Sequence, residues 1–307
     1  MQARWRPFVL SSENSHRRMN AETASSNISV VHLVRKKNGI EPFKQFLESY
    51  LKYPAGIRHE LLILYKGFTR SAERAPYEAL LSGVRHSFLT VADFGFDLRA
   101  YFIAAERSTS EYLCFLNSFA VLMDKDWLLK LYRHIRKPDV GLVGATGSWG
   151  SLRSGQVRKL PLWKKILKPF VRPARRAYFD LYFDTFPNYH IRTNGFMISR
   201  NTMGRIRRGV ILTKMQVYRL ESGKNSITKQ VEQMGLTAVV VGKDGLSYDK
   251  EEWASSGTFW RGDQSNLLIS DNQTRNYDNG DADDRRMRQL FAWGSFDSRL
   301  ADGSGER

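Results

Sequence analysis

Cysteine is nearly absent from this sequence: Cys114 is the single thiol among 307 residues. One cysteine cannot form an intrachain disulfide, which excludes the small disulfide-stabilised folds of secreted proteins. Cys114 lies within an apolar run, where cysteine usually packs as a small hydrophobic side chain. This usage favours a reducing compartment.

Long apolar runs are absent as well. No stretch of roughly 18 apolar residues occurs, so the sequence predicts no helix that spans a bilayer. Residues 1–27 mix Arg, Ser, Asn and Glu without a hydrophobic signal core, and we interpret them as a mobile leader. These features predict a cytoplasmic protein, soluble or peripheral on the inner face of the membrane.

Motifs of several other enzyme classes are missing too. The histidines are scattered without zinc-ligand spacing. Gly223-Lys224 lacks the upstream glycine of a phosphate-binding P-loop, and no G-x-S-x-G turn presents a serine nucleophile. The sequence therefore gives no indication of a zinc enzyme, a P-loop NTPase or a serine hydrolase.

Basic residues, in contrast, are abundant. The hydrophobic share of 42% is typical of a globular protein, but the net charge is +17 and the pI about 10.0. Such a charge favours a polyanionic partner, which could be nucleic acid, an anionic membrane surface or a phosphorylated substrate.

Residues 153–176 concentrate this charge, because they hold many Lys and Arg and no Asp or Glu. The segment admits three interpretations: a solvated face, nucleic-acid binding with Trp163 and Phe170 stacked on bases, or a membrane-surface segment with its apolar residues among the headgroups. We favour an anionic membrane, since a lipid-linked acceptor would be found there, and regard nucleic acid as the weaker alternative.

Short apolar runs alternate with segments of helical spacing along most of the chain. Strands are predicted at 28–34, 60–65, 87–92, 112–116, 140–145, 191–199 and 236–242, and helices at 41–53, 71–84, 98–108, 124–136 and 221–234. This alternation predicts an α/β fold with parallel strands joined by right-handed crossovers.

The stretch EYLCFLNS, residues 111–118, is predicted to contain the central strand. Its apolar part suits a strand that is buried on both faces, and it ends in the small polar residues Asn117 and Ser118. Ligands of open α/β sheets bind beyond the carboxyl ends of the strands. A nucleotide is therefore expected at this polar tip.

Two stretches carry a resemblance to a known family. The central strand runs into Phe115-Leu116-Asn117-Ser118-Phe119, and Leu220-Glu221-Ser222-Gly223 precedes the apolar strand Val239-Val240-Val241. Over roughly residues 28–244, the order of these parts resembles a family-2 glycosyltransferase with the GT-A (nucleotide-diphospho-sugar transferase) fold. The resemblance implies a mostly parallel central sheet flanked by helices, and transfer of a sugar from a nucleotide-diphosphate sugar to an acceptor hydroxyl with inversion.

The resemblance also implies a domain organisation. We expect a leader at 1–27, a GT-A domain at 28–296 and a frayed tail at 297–307. Within the domain, 28–150 would be the nucleotide-sugar half, 151–190 a basic insertion, and 191–296 the acceptor half with a C-terminal extension.

The chain departs from the family at its metal-binding motif. Family members carry an acidic D-x-D motif that holds Mg²⁺ or Mn²⁺, whereas this chain has Asn117, Ser118 and Phe119 there. Hard cations prefer anionic oxygen ligands, and none of these side chains is charged. Either the metal site is weakened, or Lys and Arg neutralise the leaving diphosphate, and no metal ligand is assigned. Tyr65-Lys66 likewise replaces an acid that often follows the second strand.

Within the resemblance, Glu221 matches the position of the general base that inverting transfer requires. Its alternative role is a favourable charge at a helix N-terminus. Nucleotide-sugar binding is assigned to side chains at the strand ends, namely Asp93, Asp97, Arg99, Asn117 and Ser118. The alternative interpretations are that Asp93 and Asp97 are ordinary turn residues and that Arg99 is a solvated helix residue.

The acceptor side is assigned to Arg192, Asn194 and Trp253. A tight turn at Asn194-Gly195 and core packing of Trp253 are the plain alternatives. The predicted activity is glycosyl transfer in the synthesis of surface polysaccharide or lipid-linked glycan. A basic nucleic-acid-binding protein and a non-catalytic relative that only binds a sugar nucleotide are the competing hypotheses.

Overall fold

The computed structural model describes residues 27–154 and 176–294. An eight-stranded sheet in the order β11-β10-β6-β9-β4-β1-β2-β3 forms its centre. The strands are β1 Ile28–Arg35, β2 Glu60–Lys66, β3 Ser87–Val91, β4 Tyr112–Leu116, β5 Val121–Leu122, β6 Val140–Gly144, β7 Gly147–Ser148, β8 His190–Ile191, β9 Gly195–Ser199, β10 Thr237–Val241, β11 Ser247–Tyr248 and β12 Ile269–Ser270.

Helices cover both faces of this sheet. They are α1 Glu41–Lys52, α2 Ser71–Leu80, α3 Phe96–Arg107, α4 Trp127–Ile135, α5 Arg200–Arg205, α6 Lys214–Ser222, α7 Ile227–Gln233, α8 Asn272–Asp278 and α9 Ala282–Trp293, with a further helical stretch at 176–182. The predicted α/β architecture is confirmed. Most of the basic segment predicted at 153–176 lies outside the described residues, as do the leader and the tail.

Two apolar layers separate the helices from the sheet. On one face, residues of α1, α2 and α4 such as Phe46, Tyr77 and Trp127 pack on β-strand side chains. On the other face, α3, α6 and α7 pack through Tyr101, Leu220 and similar residues. Because adjacent strand residues point to opposite faces, a nearly continuous apolar strand such as β4 supplies both layers.

The pairing is mostly but not entirely parallel. Strands β1, β2, β3 and β4 pair in parallel, as do β6 and β10. The predicted mostly parallel sheet is confirmed, and the exceptions are β9, which lies antiparallel between β4 and β6, and the short edge strand β11. The chain enters β9 after residues 145–194, and it arrives at the carboxyl edge of β4 rather than at its amino edge.

Two predicted elements are interrupted where they meet this edge. The strand predicted at 191–199 is divided into β8 and β9, because residues 192–194 leave the ladder in a turn. The helix predicted at 221–234 is also divided: α6 ends at Ser222, and the Ser226 side chain caps α7 by accepting from the Lys229 amide. Both breaks expose polar side chains at the carboxyl edge of the sheet.

No helix within residues 27–154 and 176–294 is both long and apolar enough to cross a membrane.

Candidate active site

A cleft of about 680 Å³ opens at the carboxyl edge of the sheet. Its charged lining residues are Asp97, Arg192, Lys214, Glu221 and Asp271, and its aromatic ones are Phe179, Tyr218, Phe259, Trp260 and Phe291. Of the nine residues predicted for the site, the cleft brings together Asp97, Asn117, Arg192, Asn194 and Glu221. Ligand pockets commonly combine an apolar wall with a few convergent polar groups, and this cleft has both.

Glu221 is the carboxylate best placed to act as a base. It lies in the last turn of α6, and its Oε1 accepts a hydrogen bond from the Thr193 hydroxyl at 2.5 Å. Burial raises the pKa of Glu221, the Thr193 hydrogen bond opposes this, and nearby Asp97 adds to it. A raised pKa makes a carboxylate a stronger base near neutral pH.

The helix-stabilising alternative for Glu221 is wrong. Negative charge is favourable at a helix N-terminus but unfavourable at the C-terminus, where Glu221 lies. The sequence predicts that Glu221 begins a helix over 221–234, whereas the structure has one helix that ends at Ser222 and a second that begins at Ile227. The carboxylate is therefore held where helix electrostatics and burial both disfavour its charge, which is typical of functional residues.

His190 also lines the cleft and was not predicted for the site. Its Nδ1 lies 2.8 Å from the Asn188 carbonyl, so Nδ1 carries the proton and donates. Burial lowers the pKa of His190 to about 4. The imidazole is thus neutral at pH 7 and a weaker base than a carboxylate whose pKa is raised.

Asp97 is the second carboxylate of the cleft. It lies in the first turn of α3, after the carboxyl end of β3. Burial raises the pKa of Asp97, while the positive charges of Lys66 and Arg35 lower it. Asp97 therefore lies between the cleft and a group of cations at the ends of β1 and β2.

Asp93 and Arg99 do not line the cleft. Asp93 pairs with Arg35 at 2.7 Å, and this hydrogen bond holds the pKa of Asp93 below its ordinary value. Lys66 is fully buried and donates to the Ala92 and Phe94 carbonyls. The Arg99 guanidinium stacks over Phe94 at 3.9 Å. These residues form a charged rim around the end of β3.

The end of β4 offers no ligand set for a divalent cation. Asn117 Oδ1 already accepts the Phe119 amide at 3.0 Å, and the Asn117 amide donates to the Asn194 carbonyl at 2.9 Å. Ser118 is buried and does not line the cleft. Over residues 27–154 and 176–294, no three His, Cys, Asp or Glu side chains are grouped so that they could hold a metal ion. The residues at the D-x-D position therefore do not fit Mg²⁺ or Mn²⁺.

Arg192 and Asp271 form an ion pair at the cleft wall, and its Asp271 side is buried. Arg192 Nη2 donates to Asp271 Oδ2 at 2.9 Å, and the guanidinium lies 4.0 Å over the ring centre of Phe259. Only 2% of the Asp271 side chain is exposed. Asp271 also caps α8 by accepting from the amides of Gln273 and Thr274.

Sequence reasoning missed Asp271, although a signal was present. Asp271-Asn272-Gln273-Thr274 forms a capping box, in which Thr274 Oγ1 accepts the Asp271 amide at 2.8 Å. That pattern predicts a helix start at 272 but not the ion pair with Arg192.

Trp253 lies outside the cleft. It is 1% exposed, packs against Gly147 and donates from Nε1 to the Tyr248 carbonyl at 3.0 Å. The aromatic residues that face the cleft in this part of the chain are its neighbours Phe259 and Trp260, which stack at 4.4 Å.

No family model and no curated protein matches this chain. Solved structures similar to it include a mannosyltransferase from Pyrobaculum calidifontis in complex with GDP-Man and Mn²⁺, at 11% identity and a TM-score of 0.45, with 77% of this chain and 61% of that chain covered. This chain thus spans less than two thirds of that protein's length.

Two other similar structures come from bacteria. One is glucosyl-3-phosphoglycerate synthase from Mycobacterium tuberculosis in complex with Mn²⁺, UDP and phosphoglyceric acid, at 18% identity and a TM-score of 0.38, with 72% of this chain and 70% of that chain covered. The other is 4-diphosphocytidyl-2C-methyl-D-erythritol synthase from Anaerococcus prevotii, at 12% identity and a TM-score of 0.39, with 73% of this chain and 93% of that chain covered.

Proposed function

We propose that this chain is a GT-A-type glycosyltransferase that moves a sugar from a nucleotide-diphosphate sugar to an acceptor hydroxyl. One observation carries the proposal: Asn117, at the carboxyl end of β4, and Glu221, from the end of α6, line the same cleft. This edge is where ligands of open α/β sheets bind. A base with a raised pKa at that edge is what hydroxyl activation requires.

The proposed chemistry is a single displacement. Glu221 takes the proton of the acceptor hydroxyl, and the acceptor oxygen forms a bond to the anomeric carbon. The bond from that carbon to the diphosphate oxygen breaks, and the nucleoside diphosphate leaves with the electron pair. The anomeric configuration is inverted as a result. Thr193 holds the carboxylate through the hydrogen bond to Oε1, which fixes its orientation.

The donor would lie on the β3–β4 side of the cleft. Asp97 and Asn117 line that side, with the charged rim of Asp93 and Arg99 beside it. Since the β4 end does not fit a metal ion, the negative charge of the leaving diphosphate would be met by side-chain cations. Lys214, which lines the cleft at the start of α6, is the candidate.

The acceptor would lie on the β6–β9 side. Arg192 and Asn194 line that side, and Asn194 Oδ1 accepts a hydrogen bond from the Thr146 hydroxyl at 2.7 Å. The net charge of +17 favours an acceptor presented at an anionic surface, as a lipid-linked or surface glycan would be. We place the reaction in the synthesis of such a glycan.

The experiment is donor hydrolysis and transfer by the purified full chain across a panel of UDP-, GDP- and CDP-sugars. Turnover of one donor, with loss of turnover in Glu221→Gln, is the expected result. Tight donor binding by calorimetry without any turnover would instead identify a non-catalytic relative. Absence of any donor binding, with salt-sensitive binding to RNA, would replace the proposal by the nucleic-acid hypothesis.

A further inference from the structure

A basic and apolar loop borders the cleft and, apart from Lys214 at its end, has no role in the proposed transfer. It comprises residues 205–214, which join α5 to α6 and are named here the rim loop. From residue 200 to 220 the chain contains no Asp or Glu. The basic residues in that stretch are Arg200, Arg205, Arg207, Arg208, Lys214 and Arg219.

The rim loop is fixed in place rather than loosely attached. Ile211 is 5% exposed, while its neighbours Val210 and Leu212 are 64% and 59% exposed. The Leu212 amide donates to Gln216 Oε1 at 2.8 Å, and the Arg207 amide donates to Gln230 Oε1 at 2.7 Å. Because Ile211 is anchored in the core, Val210 and Leu212 are both held outward. Their exposure is thus built into the fold.

The rim loop lies at the mouth of the cleft. A Cβ atom on Gly95 would come within 2.7 Å of the Ile211 carbonyl, so the loop touches the N-terminus of α3, where Asp97 lies. At the other end, Lys214 lines the cleft itself. A ligand that enters the cleft therefore passes close to the loop.

The apolar surface continues beyond the rim loop. The 176–182 helix exposes 63% of Leu181. Between this helix and α6 lies an apolar cavity of about 590 Å³, lined by Tyr178, Phe179 and Met215 among others. Phe179 lines both this cavity and the cleft. Exposed apolar side chains that are grouped beside an apolar cavity, rather than scattered singly, are typical of an interaction site.

We propose that the rim loop docks on an anionic lipid bilayer, with Val210 and Leu212 inserted among the headgroups. Aliphatic side chains beside arginines suit this occupant, because the apolar groups enter the interface while the cations meet anionic lipids. Binding to single-stranded RNA would call for aromatic rings that stack on bases, and the rim loop has none. Arg208 pairs with Glu106 at 2.7 Å and contributes less than Arg205 and Arg207.

Docking would present the cleft to a membrane-bound acceptor, a consequence that rests on the proposed function. The docking itself does not require sugar transfer. It also concerns a different part of the chain from the basic segment at 153–176.

The test is co-sedimentation of the full chain with vesicles of phosphatidylcholine, alone or mixed with phosphatidylglycerol. We expect binding that requires phosphatidylglycerol and weakens at least about tenfold in Val210→Ser/Leu212→Ser, since two apolar side chains no longer leave water. Arg205→Gln/Arg207→Gln should weaken it roughly 25-fold, at about fivefold for each cation near the surface.

Matched controls lie at the opposite edge of the sheet. Leu51, 63% exposed at the end of α1, has an exposure close to that of Leu212, so Leu51→Ser should bind vesicles like the wild type. Arg133→Gln/Lys137→Gln, near the end of α4, removes the same charge as the arginine pair and should also leave binding nearly unchanged. Thermal unfolding of every variant checks that each is folded.

Vesicle binding by Val210→Ser/Leu212→Ser that equals the wild type would overturn the proposal. A mobility shift with single-stranded RNA that survives where vesicles fail to bind would also overturn it. Donor hydrolysis in vesicle-free solution separates this question from the activity. Val210→Ser/Leu212→Ser should keep hydrolysis, whereas a wild type that binds vesicles without hydrolysing any donor would count against the proposed function alone.

Discussion

Replacing Glu221 by glutamine tests the proposed chemistry most directly. Glutamine has the same shape, and its Oε1 can still accept the hydrogen bond from the Thr193 hydroxyl. The substitution therefore removes the ability to take a proton and leaves the packing nearly intact. General base catalysis typically contributes about 10²–10⁴ in rate, or about 3–5 kcal/mol of the barrier. We expect kcat to fall by that factor, with little change in donor affinity.

The assay is steady-state release of nucleoside diphosphate together with donor titration by calorimetry. Glu232→Gln serves as the control, since Glu232 is an acid of α7 that pairs with Lys250 at 3.6 Å and does not line the cleft. A Glu221→Gln enzyme that retains full activity would refute the base assignment. A variant that loses donor binding as well as turnover would show that Glu221 contributes to ground-state binding of the donor rather than to the chemical step.

Stability gives an independent check on the same variant. Because burial raises the pKa of Glu221, the folded state favours the protonated form. The stability that this carboxyl contributes is complete below its unfolded-state pKa and is lost as pH rises through the higher folded-state pKa. Glutamine cannot ionise, so Glu221→Gln should melt above the wild type at pH 7. The difference in Tm should shrink as pH falls toward about 4.3. A Tm below that of the wild type at pH 7 would contradict the burial argument.

Three further substitutions or treatments probe the site. Thr193→Val removes a hydrogen bond to a charged group, worth about 1.5–3 kcal/mol, and so raises the pKa of Glu221 further. The acidic limb of the kcat–pH profile should therefore move to higher pH. Thr193→Ser keeps the hydroxyl and should leave the limb in place. Asp271→Ala removes both the α8 cap and the partner of the largely buried Arg192, so chemical denaturation should show a loss of about 3–5 kcal/mol. Asp271→Asn, which can still cap, should lose less. A chelator should leave donor turnover unchanged, because Asn117 and its neighbours supply no anionic ligand. Donor binding measured by calorimetry should likewise be the same with and without Mn²⁺. Inactivation by the chelator would restore a metal to the mechanism.

The fold was largely predictable because its signals are local. β1, β4 and β10 are short apolar runs, and α1 carries Phe43, Phe46 and Leu47 on one buried face. The spacing of apolar residues and the length of each run indicate whether it is a helix or a strand, without knowledge of the neighbouring elements. The connections between parallel strands follow a second rule, the right-handed crossover, which does not constrain antiparallel pairs. It therefore gave no information on β9, which pairs antiparallel with both β4 and β6.

The candidate site was harder to predict because side-chain direction depends on breaks in regular structure. Glu221 lines the cleft from the last turn of α6, and helical periodicity does not record that α6 stops at Ser222. Capping signals do record it: Ser226 begins α7, and Thr213 with Gln216 forms the box that begins α6. Together these two signals predict a helix over 214–222, with Glu221 in its C-terminal turn.

Capping signals and periodicity do not predict contacts between side chains that are far apart in the sequence. Arg192 and Asp271 lie in different elements and meet only because β9 brings the 192–194 turn beside the start of α8. The sequence around each residue gives no indication of the other. The capping box accounts for Asp271, and the turn at 192–194 accounts for Arg192. Yet the Asp271 side chain is almost fully buried, and a buried charge that lost its partner would be strongly unfavourable. The cleft wall therefore depends on a contact that exists only in the folded chain, and this is why sequence reasoning assigned Arg192 to the acceptor side without its partner Asp271.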